Sequence, residues 1–292
     1  MSEQLINVYD AQGNPMQITK ETWRVKVLPG IIKQAWDNPD KLYDAIYCGF
    51  KDEFFQDVEK AAERLLKIDQ NIERGYTMLG IVFMKTDRKK KARKLFEKYI
   101  KKYKPSGTIL TNYAKTFDDN GEQQLEILEK ALHIDPNQDN SVRWWAAVHL
   151  EKDGEESYKE SLEKIASVQG SWFPQLLLGI LALKNNELKE ALDNFKYVLS
   201  ISSDARAIQE ISGELGKRGF LKEAIELIEP IYSADKHGLP SGFNLLQLYV
   251  ETNQPEKGEA LLKSLYKMNL IPWKQRLDHY TIEFEKLQSN SL

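Results

Sequence analysis

The residues that could do chemistry in this chain are four histidines, one cysteine and a dense run of lysines and arginines. His133, His149, His237 and His279 lie far apart, and none has a partner at ligand spacing. The chain has no HExxH, no CxxC, no phosphate loop and no GxSxG. His149 does sit near Glu151 and Asp153 in VHLEKDG, but that is not a metal spacing on a helix. Without a convergent cluster each histidine reads as structural. Cys48 stands among Ile46, Tyr47 and Phe50, an apolar setting that suits a packed cysteine. A lone cysteine forms no internal disulfide, so a reducing compartment is expected. The expectation is no enzyme, no metal and no cofactor.

The basic run is the sharpest electrostatic feature. Between Lys85 and Lys104 there are 11 Lys or Arg against Asp87 and Glu97, a local +9 in a chain of net charge −3. The next stretch is acidic: Asp118 to Glu163 holds 13 acids against Lys130, Arg143, Lys152 and Lys159. One reading is a patch for RNA, an anionic lipid surface or an acidic partner. The other is a solvated outer helix face, with Lys89, Lys90, Lys94 and Lys98 turned away from Ala92, Phe96 and Tyr99. No aromatic is interleaved with those lysines for base stacking, and the whole-chain charge is near balance. Nucleic acid is therefore not the expected partner, and the solvated face is preferred. Self-association of the strip with the acidic stretch is a third reading.

The elements that must position these residues are helices. From Ile72 to Pro105 the chain reads as two helices broken at Thr86-Asp87. Tyr76, Leu79, Gly80 and Phe83 recur at steps of three and four in the first. Ala92, Leu95, Phe96, Tyr99, Ile100 and Tyr103 do the same in the second. An aromatic, Leu-Gly, an aromatic three residues on, Ala 12 after the Gly, Phe four after that and a closing Pro resemble a tetratricopeptide repeat. Gly80 and Ala92 would sit where the two helices come closest, and Phe96 would fill the space between neighbouring pairs. The residue matching Ala92 recurs at Val58, Gln124, roughly Ser157, Ala191, Ala224 and Gly258, in steps of 32 to 34. Trp172–Ser203 matches closely, with Leu178-Gly179, Ala191, Phe195 and an Asn185-Asn186 turn. The unit around Gly154 matches worst, and Gly121 comes two residues late in its turn.

Outside the repeats, residues 1–38 form an N-terminal segment. Leu5, Ile6, Val8 and Tyr9, a turn at Ala11–Pro15, then Met16 and Ile18 predict a β-hairpin. Thr22–Leu28 could begin a helix or extend a strand, with Pro29-Gly30 interrupting it. The segment is read as a cap over the open end of the stack. Asn38-Pro39-Asp40 is a helix start, Asn as N-cap and Pro at the first position. The helix pairs then fill residues 39–272, and residues 273–292 give a capping helix and tail. Stacked short units escape the size limit on a single core. The start MSEQLINVYD is not a secretory signal, and the longest apolar run, Leu176–Leu183, is too short to span a bilayer. A cytoplasmic location is expected.

The resemblance implies an all-α, right-handed solenoid of about seven helix pairs, whose first helices line a concave groove. On that geometry the groove residues would be Thr77, Ile81, Met84, Lys85, Thr111, Lys115, Trp144, Val148, Phe173, Leu176, Ile180, Leu183, Gln209, Gly213, Lys217, Phe243 and Gln247. Thr77 and Ile81 stand where chaperone-binding members begin their carboxylate clamp, so the clamp is absent. What remains is an apolar middle around Phe173–Leu183, filled by a partner peptide or helix, by the chain's own terminal segment, or by tight packing alone. The expected function is a non-catalytic protein–protein interaction scaffold.

Overall fold

Five turns set the architecture. Glu53, Asp87, Asn186, Gly219 and Asn253 adopt positive φ of 65°, 57°, 63°, 80° and 53°. In each case the next N–H donates to the carbonyl five residues back: Phe54 to Gly49, Arg88 to Phe83, Glu187 to Ala182, Phe220 to Leu215 and Gln254 to Tyr249, at 2.8–3.0 Å. This is a Schellman C-cap, which ends a helix while satisfying its last carbonyls. Asn, Asp and Gly enter the left-handed region at little cost, which is why four of the five are such residues. Five residues after each turn stands Val58, Ala92, Ala191, Ala224 or Gly258, all buried. The repeat read in the sequence is thus a repeat of one turn.

The computed structural model describes residues 5–9, 15–117, 121–268 and 271–290. The chain divides into two compact units, residues 1–135 and 136–292.

In the first unit, β1 (Leu5–Tyr9) pairs antiparallel with β2 (Pro15–Thr19), Ile6 opposite Ile18. The expected hairpin is present; residues 11–14 of its turn lie outside the described residues. Thr19 then caps α1 (Lys20–Thr22), and the chain continues through a π-helical stretch, Trp23–Val27, into α2 (Leu28–Ala35). Pro29-Gly30 does not interrupt it, because Pro29 falls in the first turn of α2, where its missing N–H costs little. The Leu28 N–H reaches Trp23 O, the widened turn that lets the helix run on. Leu28 and Ala35 join the core of the following helices, while Leu5 and Met16 of the hairpin are exposed.

Three helix pairs follow: α3 (Pro39–Lys51) with α4 (Glu59–Ile68), α5 (Ile72–Lys85) with α6 (Lys89–Lys102), and α7 (Gly107–Ala114) with α8 (Glu122–Ile134). Their first helices open on the side-chain caps Asn38, Asn71 and Ser106, each accepting an N–H three residues on. Phe96 rests on Gly80 of its own pair and shares a core with Ile109 of the next. Gln124, in the place of a small residue, is buried and donates to Ala114 O at 3.1 Å.

The second unit holds α9 (Asp139–Ala166), α10 (Phe173–Lys184), α11 (Leu188–Ile201), α12 (Ala205–Lys217), α13 (Leu221–Ile228), α14 (Ala234–Glu251), α15 (Pro255–Tyr266) and α16 (Lys274–Asn290). Helix α9 is itself a pair: Gly154, at φ 83° and ψ −168°, reverses the chain, and Trp145 Nε1 donates to Ser161 O across the bend. Its packing residue is Tyr158 rather than Ser157. Leu162 and Ile165 follow Tyr158 by four and seven and are buried, as Phe195 and Val198 follow Ala191. Phe284 of α16 lies on Gly258, so the last helix takes the role that a phenylalanine plays inside earlier pairs.

Candidate functional site

Successive first helices α3, α5 and α7 of the first unit enclose a cavity of about 450 Å³. Tyr43, Tyr47 and Phe50 line one wall, Glu73, Arg74, Thr77, Met78 and Ile81 the centre, and Thr108 the far side. Tyr43 and Tyr47 are one helical turn apart, so their rings stack parallel at 6.4 Å, and Tyr47 stays 48% exposed. The guanidinium of Arg74 lies 5.0 Å from the Tyr43 ring centre. It is pinned there by Asp69 Oδ2 at 2.6 Å and Asp40 Oδ1 at 2.8 Å, which push its pKa up. Glu73 is likewise held, accepting from Ser106 Oγ at 2.6 Å and from Tyr99 OH at 3.5 Å. Burial, then Glu73, raises the Tyr99 phenol pKa. The polar groups are therefore fixed in advance, while the tyrosine faces and Ile81 stay open. The Thr77 hydroxyl is buried and has no hydrogen-bond partner among the described residues. Preformed, mostly apolar concavities with a few placed polar groups are what binding sites are made of.

Of the residues expected in a groove, Thr77 and Ile81 line this cavity. Met84 is half-buried beside Phe96, and Lys115 is exposed. Desolvation, and then Lys85, hold the Lys115 pKa below the ordinary lysine value. Trp144 is half-buried. Ile180 lines a smaller pocket of about 240 Å³ in the second unit with Leu150, Tyr158 and Arg218. Gly213, Lys217 and Gln247 border a hollow of about 290 Å³ between α12 and α14.

The expectation fails at Thr111, Val148, Phe173, Leu176, Leu183 and Phe243, all buried. Helix α10 is apolar nearly all round, and apart from Gln175, Ile180 and Lys184 every residue of it is buried. Leu176 has no exposed surface, so nothing remains to face a ligand. Phe243 is covered by the chain's own C-terminal part: Tyr280 stacks on it at 6.1 Å, Trp273 lies at 5.7 Å, and the Arg276 guanidinium stands 4.2 Å from its ring centre. Missed altogether were Tyr43, Tyr47, Phe50, Glu73, Arg74 and Thr108. The usable signal was Tyr43 and Tyr47, two aromatics four apart where one would serve a core.

Lys89, Lys90, Lys94 and Lys98 are exposed on α6, opposite buried Ala92, Phe96 and Tyr99. The histidines are absorbed locally. His133 Nδ1 lies 2.9 Å from Glu129 O, His149 packs edge-on to Trp145 at 4.4 Å, and His237 Nδ1 accepts from the Ser233 N–H at 3.0 Å. His279 sits 5.8 Å from the Tyr280 ring. Among the described residues no group of three His, Cys, Asp or Glu could hold a metal, and no helix is long and apolar enough to cross a membrane.

No family model matches the chain, and no curated protein matches it in sequence. Solved structures of tetratricopeptide repeat proteins are similar to it in fold. One from Parabacteroides merdae shares 14% identity over 85% of this chain and 98% of its own, with a TM-score of 0.36. Pseudomonas aeruginosa PilF shares 16% over 74% of this chain and 96% of its own, at 0.39. YrrB, described as a tetratricopeptide protein with an unusual peptide-binding site, shares 12% over 62% of this chain and 95% of its own, at 0.35.

Proposed function

We propose that this protein is a non-catalytic interaction scaffold that takes a segment of another protein into the concave cavity of its first unit. One observation carries the reading: three consecutive first helices present an open wall of stacked tyrosines, Phe50 and Ile81 beside polar groups already held by one another. An aromatic-walled hollow gains by covering its exposed rings, and Tyr and Arg are the side chains that most often dominate such contacts. The groove expected around α10 is closed by its own packing, so the binding role moves to α3, α5 and α7.

The test is parallel affinity capture with the wild-type chain and Ile81→Asp, each checked by circular dichroism. Ile81 is only half-buried, so the variant should fold. A docked apolar side chain would meet an unpaired carboxylate, and partners of this cavity should drop out of the capture. Retention of the same proteins by a folded Ile81→Asp chain would overturn the reading.

A further inference from the structure

The last residue of α3, the last residue of α5 and the C-cap of α7 are Lys51, Lys85 and Lys115. A lysine at a helix C-terminus favours the carbonyl end of the dipole, so three in a row could be ordinary. The second unit shows what ordinary looks like. There Lys184, ending α10, pairs with Glu155 at 2.6 Å, and Lys217, ending α12, pairs with Glu214 at 2.8 Å. Among the described residues neither Lys51 nor Lys85 has a carboxylate partner, although Asp52, Glu53 and Asp87 follow them in the turns; the acids after Lys115, Asp118 and Asp119, lie outside the described residues. Instead Lys51 Nζ stands 4.9 Å from the Tyr47 ring centre and Lys85 Nζ 5.9 Å from that of Phe55. Phe55 in turn lies 5.3 Å from Phe50, which lines the cavity. Desolvation first, and the Lys85 charge second, disfavour the charge on Lys115. Lys51 and Lys85 thus hold cations against rings in and beside the aromatic cavity, with no described carboxylate to neutralise them.

We infer that the occupant of the first-unit cavity is an acidic segment of a partner protein, with an apolar side chain against Tyr47 and Ile81 and side-chain carboxylates on Lys51, Lys85 and Lys115. Neighbouring packed helices lie about 10 Å apart. An extended chain advances about 3.3 Å per residue. A segment crossing the three helices would therefore offer Asp or Glu at every third position. This inference rests on the reading of the cavity as a docking site and adds the charge of what docks.

The probe is a randomised twelve-residue peptide library displayed on phage and selected against the full chain. Three targets are run in parallel: wild type, the triple variant Lys51→Gln/Lys85→Gln/Lys115→Gln, and Ile81→Asp. Glutamine removes the charge and leaves a shorter, uncharged polar side chain. Wild type should enrich peptides with an apolar residue and acids at steps of three. Against the triple variant the acidic excess should vanish while the apolar preference remains, and a wild-type-selected peptide should bind it roughly tenfold more weakly. Raising salt from low to several hundred millimolar should weaken wild-type binding and leave the triple variant nearly unchanged. Apolar peptides without acidic excess, lost on Ile81→Asp, would overturn the acidic inference and leave the docking site standing. Peptides that bind Ile81→Asp as well as wild type, or no enrichment at all, would overturn the docking site itself.

Discussion

The ring of Phe195 lies directly against the Cα of Gly179: a Cβ built on that glycine would stand 2.5 Å from Phe195 Cε1 and 2.8 Å from Cδ1. Gly80 and Phe96 repeat the arrangement, with the nearest ring atom at 2.2 Å, and Gly258 and Phe284 repeat it at 2.1 Å. The missing side chain on one helix is the space that the ring on its partner occupies. Each glycine–phenylalanine contact sets how close two helices can come, and so how far along the next pair begins.

Phe195→Ala should cost roughly 3–5 kcal/mol, since it empties a fully buried site. Gly179→Ala gains up to about 1 kcal/mol of helix propensity but overpacks the ring by about 1–3 kcal/mol, so a net loss is expected. Gly30 is the control, because a Cβ added there would meet nothing within 4 Å: Gly30→Ala should stabilise by about 0.5–1 kcal/mol. Urea unfolding of the three variants reads all of this. Additive effects of Gly179→Ala and Phe195→Leu would show that the contact is not the coupling described.

The helix pairs were legible because their signals are local. Asp87, Asn186 and Gly219 tolerate the left-handed turn, and Ala92, Ala191 and Ala224 stand five residues on. Where a signal is weak the sequence misleads: Glu53 hides a turn behind an unsuitable residue, and Tyr158 takes a place expected of Ser157. The cavity was less legible. Which face of α10 is covered depends on neighbours, and an all-apolar helix gives no face a polar mark. Tyr43 and Tyr47 resemble mere divergence of a first unit, since the space between α3, α5 and α7 is set by how they pack.

Charge reversal on the outer face of α6 separates scaffold from anionic-surface binder. Lys89→Glu/Lys90→Glu/Lys94→Glu should leave the helical signal unchanged, because the three side chains are exposed. Binding of an enriched peptide to the cavity should survive within about threefold. Loss of RNA or anionic-vesicle binding with a steep salt slope would instead assign the strip a function of its own.

Leu176 and Ile180, one helical turn apart on α10, should respond oppositely to the same change. Leu176→Asp buries a carboxylate with no exposed surface, and a loss of several kcal/mol or failure to fold is expected. Ile180 borders an open pocket whose walls also hold Arg218 and the Lys184–Glu155 pair, so Ile180→Asp places a carboxylate in a polar, open setting. Its cost should be about 1 kcal/mol or less. Equal destabilisation in urea melts would show that Ile180 belongs to the core and that the pocket does not admit solvent.

His237 gives the second unit a pH dependence of definite sign. The residue is buried, its Nδ1 accepts the Ser233 N–H at 3.0 Å, and the Tyr232 ring lies 6.0 Å away. Burial first, and Lys236 second, lower its pKa from the ordinary 6.5. The neutral imidazole is thus the native form, and below pH 6.5 the unfolded chain binds the proton more readily than the folded one. The stabilisation from this site is complete above the unfolded pKa and is lost as pH falls through the folded one. Protonation also turns the Nδ1 acceptor into a donor facing the Ser233 N–H. Thermal melts between pH 7.5 and about pH 5 should show stability declining on acidification. His237→Asn keeps a short acceptor at this position and should flatten that part of the decline. An unchanged slope in His237→Asn would show that other groups carry the acid sensitivity and that His237 titrates alike in both states.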